Sequence, residues 1–92
     1  MQKIDFNGIV QMFQMEAFAA LGKIKHPALD KIEKNLEHAQ FLIDLLTVLQ
    51  EKTQGNLTDQ EKRFIDYALS DLKLNYVEVS GNPSTPPTAD MA

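Results

Sequence analysis

Two histidines and a scatter of carboxylates are the residues of this sequence that could do chemistry. His38 lies beside Glu37, with Glu33 about one turn away on a helix. That spacing is neither the Glu-x-x-His of di-iron bundles nor a His-x-x-x-His pair, so a metal site is not expected. His26 precedes Pro27 and reads as a solvated loop side chain. Asp44, Glu51, Asp66 and Asp71 are expected to solvate the surface or pair with lysines. Asp44 stands out because it sits inside an apolar run. Ser70, Ser80 and Thr53 have no base placed beside them by any motif, and phosphate-binding loops, dinucleotide fingerprints and nucleophile elbows are absent. The chemistry points away from an enzyme, and no cofactor is implied.

Bulk composition narrows the partners. The chain has 92 residues, one domain's worth, with a net charge of −4 and a single arginine, Arg63. Nucleic-acid binding relies on clustered cations, so it is disfavoured. The basic loop Lys23, Lys25 and His26 is too small to reverse that and reads as a solvated connector. With no cysteine, disulfides, thiolate zinc sites and thiol nucleophiles are excluded, which fits a reducing cytoplasm. The apolar stretch 9–21 is broken by Gln11, Gln14 and Glu16, too short and polar for a membrane span and unlike a signal peptide. No membrane partner is expected.

The elements that must position these residues are helical. Apolar periodicity predicts an all-α fold of three helices, over about 6–21, 28–52 and 59–77. Asp5 is suited to cap the first and Gly22 to end it. The second carries a main stripe of Leu29, Ile32, Leu36, Ala39, Ile43 and Leu46, widened by Leu42 and Leu49. Gly55 suits a left-handed position past its end. Thr58 with Glu61 then reads as a capping box, so the second and third helices form an antiparallel hairpin. The staple that often accompanies such a cap is incomplete, because Leu57 would face Lys62. Phe64, Ile65, Ala68, Leu69, Leu72 and Tyr76 line the inner face of the third helix. Residues 1–79 form the expected domain. The proline-rich run from Asn82 to Asp90 lacks large apolar residues, and residues 80–92 are expected to be a disordered tail.

Some apolar residues are left over. Met12, Met15, Phe18 and Ala19 lie opposite the core stripe of the first helix (Phe6, Ile9, Val10, Phe13, Ala17, Ala20 and Leu21); Phe41, Leu45 and Val48 lie opposite that of the second. One reading is that the middle helix contacts two neighbours and needs a wide stripe. That works less well for Met12, Met15 and Phe18, because a terminal helix has fewer neighbours. The other reading is a homo-oligomeric interface, a dimer being the commonest form. A groove for a peptide or small ligand is the alternative.

The residues Leu21-Gly22, Pro27, Ala39, Ile43-Asp44-Leu45-Leu46, Leu49 and Lys52-Thr53-Gln54-Gly55-Asn56-Leu57-Thr58 form a recognisable set, with Glu61, Leu69, Asp71, Leu72 and Tyr76. Over roughly residues 6–78 the chain resembles a bacterial family of small helical proteins of unknown function. The resemblance implies a compact helical cytoplasmic protein, with no established activity and no catalytic residues. Its most distinctive segment coincides with the hairpin turn. Capping accounts for much of that segment but less fully for Lys52, Thr53 and Asn56, which are therefore candidate contact residues.

Overall fold

The computed structural model of the protein describes residues 4–26 and 28–81. Among these are three α-helices, α1 (Phe6–Ala20), α2 (Leu36–Lys52) and α3 (Asp59–Ser80), and no strand. Each helix starts on a side-chain cap. The Asp5 carboxylate accepts from the Gly8 amide at 2.8 Å and the Asn35 carbonyl from the His38 amide at 3.1 Å. Thr58 and Glu61 close the capping box reciprocally, at 3.1 Å and 2.9 Å. Such bonds satisfy amides that have no partner within the helix.

The three helices pack against one another in an up-down-up order. The Asn35 amide donates to the Ala20 carbonyl at 2.7 Å, which brings the start of α2 to the end of α1. Across the hairpin, Gln50 Nε2 donates to Asp66 Oδ1 at 2.6 Å, tying α2 to α3. Lys23 reaches Glu78, so the far end of α3 returns to the end of α1. Between them lies one core: Val10, Ala17 and Leu21 from the first helix and its cap, Leu42, Ile43 and Leu46 from α2, and Ile65, Leu69 and Leu72 from α3. Each fully buried leucine or isoleucine is worth about 1.5–3 kcal/mol in transfer free energy. Leu57 also packs against this core, so the hairpin turn is pinned from inside although its helix-start staple lacks an apolar partner.

Two boundaries differ from the sequence expectation by more than one residue. The second helix was expected from residue 28, yet α2 begins at Leu36. The His26 carbonyl accepts from the amides of Leu29 and Asp30, and the His26 amide donates to the Lys31 carbonyl at 2.9 Å. This closes a tight reversal with Asp30 at φ 53°, a left-handed conformation that aspartate tolerates better than most residues. Leu29 and Ile32, expected in the core stripe, are therefore 49% and 61% exposed. His26, expected to be solvated, is half-buried, and its Nδ1 accepts from the Ala28 amide at 3.1 Å. At the other end α3 runs three residues past the expected Val77 and ends where Gly81 turns left-handed at φ 72°. The expected tail loses Ser80 to α3; residues 82–92 lie outside the described residues.

Candidate functional site

On α2, Phe41, Leu45 and Val48 recur at intervals of four and three residues, which places them along one helix face. Phe41 is 58% and Val48 53% exposed, while Leu45 is half-buried. Together with Asp44 they line a shallow surface depression of about 300 Å³. The Asp44 carboxylate accepts from Gln40 Nε2 at 2.8 Å, which holds it at the rim. One turn before Phe41, the His38 ring stacks on it, with centroids 6.2 Å apart and an interplanar angle of 13°. Nε2 of the same ring lies 3.1 Å from Glu16 Oε2 on α1.

That contact joins two patches that lie 20 and more residues apart in the chain. Met12 is one turn from Glu16 on the same face of α1, and Met15 is its neighbour. Met12 is 60% exposed and Met15 is also exposed. The outer surface of the α1–α2 pair thus carries Met12, Met15, Phe41, Leu45 and Val48 around one polar bridge. Phe18 and Ala19, grouped with them on the helical wheel, behave differently. Ala19 is buried, and Phe18 is partly buried and packed against the core. The connector that follows α1 folds back on this end, the Gly22 and Lys23 amides donating to the Ala19 and Phe18 carbonyls, and Lys23 reaches Glu78 near the far end of α3, so this end of α1 has more cover than a free terminal helix.

The three candidate contact residues at the hairpin also separate. Thr53 is accounted for by its own helix end: its hydroxyl donates to the Leu49 carbonyl at 2.7 Å and approaches that of Gln50 at 3.3 Å. Asn56 is exposed, its amide donating to the Thr53 carbonyl at 2.9 Å to close the turn around Gly55. Lys52 is exposed and has no ion-pair partner among the described residues.

A second concavity has no signature in the sequence pattern. An open groove of about 710 Å³ runs beside the hairpin, with Gln50 and Gln54 on one bank and Lys62, Asp66, Ser70 and Lys73 on the other. Its floor includes Leu57, Ile65 and Leu69. Asp66 accepts from Lys62 Nζ at 2.9 Å as well as from Gln50. The Lys62 hydrogen bond, then that of Gln50, holds the Asp66 carboxyl below the usual carboxylate range. Asp66 is therefore a fixed anion near neutral pH, with both oxygens already engaged. Ser70 has no histidine beside it in the groove lining, so nothing there assembles a nucleophile with its base. A spacing of three and four along α3 was the available signal, but it could not reveal Gln50 and Gln54 across the hairpin.

Among the described residues, no cluster of three or more His, Cys, Asp or Glu could hold a metal ion. No helix among them is long and apolar enough to cross a membrane.

These features define an all-α, three-helix protein with an apolar outer strip and a polar groove at its hairpin. The chain belongs to the family described as Domain of unknown function (DUF1844), whose model matches residues 3–78. This bears out the resemblance to a small helical family of unknown function. No curated protein and no solved structure matches the chain.

Proposed function

We propose that this is a non-enzymatic interaction protein of the bacterial cytoplasm that self-associates as a dimer through the outer surface of α1 and α2. The observation that carries the reading is the depression lined by Phe41, Leu45 and Val48 on α2, linked through Phe41, His38 and Glu16 to the α1 helix that exposes Met12 and Met15. Solvent-facing apolar residues scattered singly are ordinary; a grouped strip rimmed by polar side chains is the mark of a partner surface. Methionine and phenylalanine are enriched at the centres of such surfaces.

Light scattering on the purified full chain tests the reading. A dimer is expected at concentrations on the order of tens of micromolar, the range in which a standard interface is occupied. Phe41→Glu and Val48→Glu are expected to yield a monomer of unchanged helicity, because both side chains are exposed and their replacement leaves the core intact. A wild-type protein that stays monomeric at roughly 100 µM would overturn self-association.

A second reading, a small-ligand module, is favoured by the hairpin groove, whose volume falls in the range of ligand sites. Its apolar floor and amide-and-lysine banks suit a ligand with a carboxylate and an apolar body. Thermal-shift screening of short acyl and aromatic carboxylates, with Lys73→Ala as the insensitive control, tests it. Stabilisation of wild type and variant alike would exclude this groove as the site.

A further inference from the structure

The exposed face of α2 is nearly symmetric in its chemistry about its own midpoint. That midpoint lies between Asp44 and Leu45. Equal steps outward along the helix lead first to Phe41 and Val48, both exposed and apolar, and then to Glu37 and Lys52, of opposite charge. Glu37 occupies the first turn of α2 and Lys52 the last, about 22 Å apart at 1.5 Å per residue. Both are exposed, and among the described residues neither is in an ion pair.

We infer that the partner on this face is a second copy of the chain, with the two α2 helices packed antiparallel about a two-fold axis near Asp44 and Leu45. This rests on the self-association proposed above and adds its geometry. In the antiparallel arrangement Phe41 of each chain meets Val48 of the other, and Glu37 of each meets Lys52 of the other. A parallel arrangement would put Glu37 against Glu37 and Lys52 against Lys52, which like-charge repulsion disfavours. The opposed helix dipoles add to the preference. Lys52, which capping does not account for, acquires a role as a charge that sets the register. Near the axis the register has one unfavourable contact, because the two Asp44 carboxylates approach each other.

The mundane account of Glu37 and Lys52 is that each simply complements the dipole of its own helix end. A charge-swap experiment on the full chain separates the two. Glu37→Lys and Lys52→Glu are each expected to weaken the homodimer about tenfold, since two pairs turn repulsive at once. An equimolar mixture of the two variants is expected to dimerise where neither does alone, because the mixed pair restores both attractions. Sedimentation velocity reads the outcome, with circular dichroism confirming that each variant is folded. Dipole complementarity alone would lower helix stability in each variant but give no mixed dimer, and that result would overturn the antiparallel register. Asp44→Asn provides an independent measurement that leaves the helix ends untouched. It is expected to tighten the dimer about threefold by removing the repulsion at the axis; an unchanged or weaker dimer would also overturn the register. A wild-type monomer would remove the proposed self-association itself. A wild-type dimer indifferent to all three changes would remove only the antiparallel arrangement.

Discussion

His38 Nε2 lies 3.1 Å from Glu16 Oε2, the one side-chain hydrogen bond that joins α1 to α2 among the described residues. Its side chains are 41% and 45% exposed, so water screens the charge and an energetic contribution above about 1 kcal/mol is not expected. The contact matters more for placement. It fixes the imidazole nearly parallel to the Phe41 ring and links the α1 face that carries Met12 and Glu16 to α2. Glu16→Gln is expected to change the unfolding free energy in urea by less than about 1 kcal/mol. His38→Ala should destabilise the fold as little, yet weaken self-association by freeing the Phe41 ring. A loss of several kcal/mol in either variant would show that the pair is structural instead.

The late start of α2 has a direct consequence for stability. Leu29→Ser and Ile32→Ser should each shift stability by no more than about 0.5 kcal/mol, because both side chains already face water. Leu46→Ala, at a fully buried position of the same apolar periodicity, should cost about 2–5 kcal/mol. Chemical denaturation of the three variants checks the contrast. A large loss at Ile32 would mean that the helix reaches back to it in solution.

The hairpin turn offers a pair of local tests. Thr58→Ala removes one arm of the capping box and should cost about 1 kcal/mol. At Gly55 an added Cβ would meet nothing within 4 Å, so Gly55→Ala should be destabilising only through its backbone angle of φ +86°. That penalty is about 1–2 kcal/mol. Gly55→Asn should recover part of it, since asparagine tolerates the left-handed region. Thermal melts of the three proteins give the order.

Acid sensitivity should follow Asp66 and Glu78. Lys62, then Gln50, lowers the pKa of Asp66, and Lys23 lowers that of Glu78. A carboxyl whose folded pKa lies below its unfolded value contributes stability above the unfolded pKa and loses it as pH falls through the folded one. The window therefore opens at about pH 4 and extends below it. Both groups are substantially exposed, so the effect on Tm should be modest. Asp66→Asn should flatten the decline of Tm between about pH 4.5 and 2.5 relative to wild type. An identical profile would show that the groove network does not hold in solution.

Local chemistry determined much of this protein without tertiary information. The starts at Asp5 and Thr58, the stop at Gly22 and the turn at Gly55 each depend on residues within a few positions of one another, so spacing alone revealed them. The inner faces of α1 and α3 were legible for the same reason, since a 3.6-residue period states which side is apolar. Residues 28–35 show where that logic ends. Leu29, Ile32 and Leu36 have helical spacing, but the hydrogen bonds of His26 with Leu29, Asp30 and Lys31 form a competing reversal, and the Asn35 cap restarts the chain later. Periodicity cannot weigh one hydrogen-bonding scheme against another. The fate of Phe18 and Ala19 likewise needed the packed neighbours, because a helical wheel assigns direction and not cover. The joining of Met12 with Phe41 through Glu16 and His38, and of Gln50 with Lys62 through Asp66, was decided only by tertiary structure. Those groups are brought together by how the helices cross, and nothing in the order of residues along one helix encodes which residue of another it will touch.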